Sequence, residues 1–147
     1  MKLSPNFSLT EAISSDTAKR IGNSNQPTEA HLNNLKITAT YMEDVRALFG
    51  RPINPTSWYR NPVVNKAVGG VPTSHHALGW AVDFRVSGIN GLEVARRIRD
   101  SNLKFDQLIY YELTGIVHLS FHPQMRRQIR TNPTNNAGAR LKVGLPK

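Results

Sequence analysis

SHHALGWAVD, residues 74 to 83, sets two adjacent histidines ahead of an aspartate, with a glycine midway. If His76 and Asp83 hold one metal ion, each ligand atom sits ~2 Å from it, so the two atoms lie only ~3–4 Å apart. An unbroken helix would separate these residues by roughly 10 Å. An unbroken strand would separate them by more than about 20 Å. The chain must therefore reverse between them, and Gly79 is placed to allow it, because glycine adopts backbone angles closed to other residues. Ala81 and Val82 then begin a strand that carries Asp83. His75 and His76, being neighbours, point different ways on any regular element. On these residues alone, a surface histidine pair beside a salt-bridged aspartate fits equally well.

Working outward, Ser8-Leu-Thr-Glu11 has the spacing of a capping box and predicts a short helix, continued in helical or turn-like form through SSDTAKR and broken by GNSNQP. The clearest helix starts at Pro27 or Thr28. Leu32, Leu35, Ala39, Met42, Val45 and Phe49 recur along it at steps of three and four, and Gly50 stops it. PINPTSWYR reads as extended, and NPVVNKAVGG as a short helix opened by Pro62 and ended by Gly69-Gly70. AVDFRV alternates as a strand, Asn90 caps a helix through GLEVARRIRD, and FDQLIYYEL and IVHLSF form a hairpin about Thr114-Gly115. Helices first and antiparallel strands later predict an α+β fold, a small antiparallel sheet packed on N-terminal helices. The expected division is one domain over residues 1–130 and a basic, loosely ordered tail over 131–147.

The chain of 147 residues is long enough for one core, with 39% apolar residues and a mean hydropathy of -0.41. No apolar run approaches the ~20 residues of a membrane span, and the first residues lack the apolar stretch of a secretion signal. Without cysteine, disulfides and thiolate metal sites are excluded, and a metal must be held by His, Asp or Glu. The net charge of +9 favours polyanionic surfaces. From Arg126 onward there are six basic residues and no acidic one. Nucleic-acid binding is not expected, because the basic residues are not interleaved with aromatics on an ordered face.

Ser74, His76, Gly79, Ala81 and Asp83 spell S-x-H-x-x-G-x-A-x-D, which resembles the signature of the zinc DD-peptidase superfamily. That superfamily includes D-alanyl-D-alanine carboxypeptidases and dipeptidases, phage L-alanyl-D-glutamate endolysins and the Hedgehog signalling domain. NFSLTEAISSDTAKR, SWYRNPVVNKAVGGVPTSHHALG and FDQLIYYELTGIVHLSFHP are similar to its short phage-type branch, so the likeness runs from about Leu3 to Arg130. The resemblance implies a Hedgehog/DD-peptidase-like fold and one zinc ion (Zn2+) per chain on His76, Asp83 and His118. It implies hydrolysis of peptidoglycan stem-peptide bonds, most simply by an endolysin cutting L-Ala–D-Glu. D-Ala–D-Ala carboxypeptidase activity on the same fold is the alternative, and a non-catalytic zinc-containing wall-binding module is the alternative of another class. A monomer is expected, held in the host bacterial cytoplasm until release to the wall, with the basic tail gripping an anionic wall or outer-membrane surface.

In IVHLSFH, Val117, Leu119 and Phe121 share an apolar face and His118 lies on the more polar one, as a ligand lining a cleft should. His122 lies four residues further, over about 12 Å along a strand, and is not expected to be a ligand. His31 reads as structural or exposed. Three protein ligands leave a zinc position for water, the mark of a catalytic site. A carboxylate must then accept the water's proton. Many relatives place it three residues before the last histidine, where this chain has Gly115. The short branch offers Glu112. A two-residue turn would put Glu112 on the face opposite His118, whereas a three-residue loop, Leu113 to Gly115, would put it on the zinc side. Threonine resists the positive φ of the shorter turn, so the longer loop and Glu112 as general base are expected. Asp106 is the reserve. Arg60 in SWYRNP matches the arginine aimed at the oxyanion or substrate carboxylate. Ser74 is expected behind the ligands on the substrate side, and Tyr59 and Trp80 at the cleft wall.

Overall fold

The computed structural model describes residues 1–136 and 138–147. Strands β1 (Lys2–Ser4) and β2 (Phe7–Ser8) form a small antiparallel hairpin. Helix α1 (Leu9–Ile13) follows, opened by the expected capping box: the Ser8 hydroxyl accepts from the Glu11 amide at 3.1 Å, and the Glu11 carboxylate accepts from the Ser8 amide at 3.0 Å. Ser15 caps α2 (Asp16–Ile21), which Gly22 ends. Thr28 caps the long α3 (Glu29–Phe49), and Gly50 closes it in the left-handed region at φ 61°. Leu35, Ala39, Met42, Val45 and Phe49 form its buried stripe, as their spacing predicts.

Strand β3 (Ile53–Ser57), helix α4 (Pro62–Ala67), the single turn α5 (His75–Leu78) and strand β4 (Ala81–Val86) follow. After them come α6 (Gly91–Asp100, capped by Asn90), β5 (Gln107–Tyr111), β6 (Val117–Ser120), β7 (Gln128–Asn132) and β8 (Lys142–Val143). The large sheet runs β3-β4-β6-β5-β7-β8. It is antiparallel except at the pairing of β5 with β7. The fold is α+β, with a larger and more mixed sheet than the sequence predicts.

One face of this sheet is apolar. Val82, Phe84, Val86, Leu108, Val117 and Leu119 are buried there in one cluster with the α3 stripe and with Val94, Ala95 and Ile98 of α6. Period-two alternation then sends Asp83, His118, Ile109 and Tyr111 to the other face. Segment 58–79, which carries α4 and α5, supplies the groups that meet them there.

The C-terminal segment departs from expectation. A boundary after residue 130 would cut β7, and Lys142–Val143 pair with β7 as β8 at the edge of the sheet. Thr131 donates to the Gly144 carbonyl at 2.7 Å, and Gly144 donates to Ile129 at 2.9 Å. The link from β6 crosses the start of β5 and is pinned at Asp106. The buried Asp106 carboxylate accepts from the Arg126 amide at 3.0 Å and from its guanidinium at 2.9 and 2.8 Å. A two-residue edge strand has no periodicity to read, and the Asn-rich turn that precedes it looks like loop composition.

Candidate active site

The reversal between His76 and Asp83 has the expected cause. Ser74 caps α5, its hydroxyl accepting from the His76 amide at 3.2 Å, and Gly79 ends the turn at φ 87° before β4 begins. His76 is buried, with Nδ1 2.6 Å from the Trp58 carbonyl oxygen. A carbonyl only accepts, so Nδ1 carries the proton and Nε2 of the neutral ring presents its lone pair to the site. Asp83 and His118 sit directly opposite each other on β4 and β6. Asp83 Oδ1 lies 3.1 Å from His76 Nε2 and 2.8 Å from His118 Nδ1.

A lone pair facing a carboxylate oxygen needs a cation between them, either a proton on the ring or a metal. Ligand atoms around a tetrahedral zinc lie about 3.3 Å apart. One donor atom from each of His76, Asp83 and His118 falls within 4.8 Å of the others, so the set suits such an ion. Burial opposes charge on Asp83, yet when the His76 and His118 rings carry such a proton their charges and hydrogen bonds hold its carboxyl well below the usual carboxylate range. The bond from His76 to the Trp58 carbonyl is the outer-shell contact that commonly fixes a metal-binding imidazole.

The three residues face a cavity of about 380 Å³ between the sheet and the segment Val68–Ser74. Arg60 and Ser74 both line it, with Arg60 Nη2 3.5 Å from the Ser74 hydroxyl. Arg60 makes no ion pair among the described residues, and its buried Nε has no partner. Burial lowers the pKa of the guanidinium and the nearby Asp83 opposes that shift, but an arginine stays charged. It is therefore an unneutralised cation facing the cavity. A second cavity of about 260 Å³ adjoins the first, and Asp83 and Tyr111 line both.

Glu112 is not part of this arrangement. Ile109, not Tyr110, lies opposite His118, and the hairpin loop has four residues, Glu112 to Gly115. Tyr111 closes the ladder with Ile116 at 3.0 Å, and Gly115 takes φ 74° with its amide bonded to the Tyr111 carbonyl at 2.8 Å. This register gives the zinc-side face to residues 107, 109 and 111. Glu112 is an exposed turn residue that lines neither cavity, and its amide donates to Asn132 on β7. Among the described residues, no carboxylate other than Asp83 lines either cavity.

Asp106, the reserve, is occupied by Arg126 and serves the crossover. The Arg126 guanidinium lowers its pKa, with burial opposing. Tyr59 and Trp80 are buried outside the cavity. Tyr59 bonds His31 Nδ1 at 2.8 Å, which gives that histidine a structural place. His75 lines the cavity, stacked on His122 at 5.1 Å, and burial pushes its pKa down to about 4. Tyr111, Arg126 and Leu141 line the cavity as well and were not singled out from sequence. Register and crossover bring them there, and neither leaves a local signal.

No curated protein matches this sequence. The family model for Peptidase M15 matches residues 5–120, a span that holds His76, Asp83, His118, Arg60 and Ser74. The chain belongs to the M15 peptidase family, whose members are zinc metallopeptidases.

Proposed function

We propose that this chain is a zinc-dependent endopeptidase acting on peptidoglycan stem peptides, of the lytic kind that cuts L-Ala–D-Glu. The observation that carries the proposal is the convergence of His76, Asp83 and His118 beside a cavity that also holds the unpaired Arg60. His76 and His118 would each give an imidazole nitrogen and Asp83 a carboxylate oxygen to one zinc per chain. Zinc, when bound, supplies an acidified water and polarises the scissile carbonyl. The Trp58 carbonyl holds the His76 ring, and with it the free nitrogen, in place. Arg60 offers a fixed positive charge to the oxygen that becomes negative, or to a neighbouring substrate carboxylate. Ser74 steadies both the α5 turn and Arg60.

The shared lining of the two cavities by Asp83 and Tyr111 favours an endopeptidase. A carboxypeptidase needs room for a chain on one side of the bond only, whereas here the cavity at the ligand residues continues past Asp83 and Tyr111 into a second one. The net charge of +9 suits an anionic wall or outer-membrane surface as the docking partner.

The test uses purified peptidoglycan. Clearing abolished by a chelator and restored by zinc is the expected result, with mass spectrometry finding new N-termini at D-Glu. Release of terminal D-Ala alone would make the chain a carboxypeptidase. Zinc binding without any cleavage would reduce it to a wall-binding module.

A further inference from the structure

Tyr111 is the one residue of β5 that lines both cavities, and the function proposed above gives it no role. Its place follows from the hairpin register. Ile109 lies opposite His118, so Tyr111, two residues on, points to the same face about 7 Å further along the strand. Ile116, its partner across the ladder, lines the second cavity with it. The ring is half-buried, and burial raises the pKa of its phenol, with Asp83 adding to that shift and Arg60 and the Asn132 side chain opposing it. A phenol keeps its proton at neutral pH and can donate a hydrogen bond. The Asn132 side chain can hold this hydroxyl on one side, and its place in the lining of both cavities leaves it beside Asp83, where an apolar ring would offer no donor.

We infer that Tyr111 is a further catalytic residue, whose hydroxyl donates a hydrogen bond to the scissile carbonyl oxygen as that oxygen becomes negative. The inference rests on the peptidase reading. It explains how a cavity with no free carboxylate still presents two donors, one charged and one neutral, to a developing oxyanion. A donor of this kind acts on the transition state more than on the bound substrate. Tyr111 thus separates substrate affinity from turnover, which a residue that only shapes the wall does not.

Tyr111→Phe removes one oxygen and leaves the half-buried ring. The zinc-loaded protein and this variant are compared by calorimetry with two probes. One is a phosphinate analogue of the L-Ala–D-Glu stem peptide, whose tetrahedral P–O⁻ stands for the oxyanion. The other is the intact stem peptide, added to metal-free protein. The expected result is equal zinc stoichiometry, unchanged affinity for the intact peptide and at least tenfold weaker affinity for the phosphinate. With substrate turned over, kcat should fall about 10²-fold with KM within about twofold. Equal phosphinate affinity in the two proteins would overturn the inference while leaving the peptidase reading intact. Equal loss for both probes would make Tyr111 a ground-state binding residue and overturn it too. A wild-type protein that binds zinc but neither probe would overturn the peptidase reading and this inference together.

Discussion

Asp83 is the residue on which the site turns. Its Oδ1 is within hydrogen-bond reach of both imidazoles, and its strand neighbours Val82 and Phe84 are fully buried on the opposite face. His76→Ala, Asp83→Ala and His118→Ala should each lose bound zinc, measured as metal per chain after dialysis, and each should lose hydrolysis. His75→Ala should keep its zinc, because that ring stacks on His122 instead of facing Asp83. Loss of zinc from His75→Ala with retention in His76→Ala would move the ligand set by one residue. Glu112→Gln should turn over substrate within about threefold of the wild type, far from the ~10²–10⁴-fold loss of a true acid–base group. A drop of that larger size would mean that the turn residue reaches the cavity after all.

Two joints between elements deserve separate tests. At the α5–β4 joint, Gly79 has φ 87°, and a Cβ there would meet the His31 carbonyl oxygen at 3.0 Å. Gly79→Ala should cost about 1–2 kcal/mol in the left-handed backbone alone and should weaken zinc retention, because the joint sets the approach of His76 to Asp83. Equilibrium unfolding with and without zinc measures both effects. At the β6–β7 crossover, Asp106 carries a carboxyl held below its usual range by the Arg126 guanidinium. Its folded pKa lies below the unfolded value of about 3.9, so the unfolded chain binds more protons in between and stability rises with pH there. The contribution is present above about pH 4 and is lost as pH falls through the folded pKa. Asp106→Asn should therefore be less stable than wild type by about 1–2 kcal/mol at neutral pH, a figure kept low because Arg126 is largely exposed. The gap should close in acid. A gap that is constant down to pH 2 would show that the charge contributes nothing.

For the molecule as a whole, the C-terminal segment is the part whose role changes between sequence and structure. A detachable basic tail would leave the activity on a small soluble muropeptide intact when removed. With β7 paired to β5 and Leu141 lining the cavity, deletion of residues 131–147 should instead lower the melting midpoint by about 10 °C or more, the shift expected for a loss of ~3 kcal/mol at this chain length. Activity on soluble and whole-cell substrates should fall together. A truncated protein that melts normally and fails only on cells would restore the separate-tail reading.

The sequence by itself determined what depends on neighbours along the chain. Ser8 with Glu11, Thr28 and Asn90 each cap the helix that follows, because a cap is a local hydrogen bond between a side chain and an amide two or three residues on. The turn at Gly79 and the alternation along β4 and β6 were equally local, but only the resemblance to the peptidase signature marks His76, Asp83 and His118 as one ligand set, and their meeting rests on the long-range pairing of β4 with β6. Only the tertiary structure decided the face of Glu112 and Tyr111. Strand parity flips with one residue of loop length, and the loop holds four residues where composition suggested three. It alone also decided that β7 returns beside β5, since parallel pairing across an intervening hairpin is a long-range choice. That choice is secured by the Asp106–Arg126 contact across 20 residues of chain, a pairing between distant side chains that no local pattern encodes.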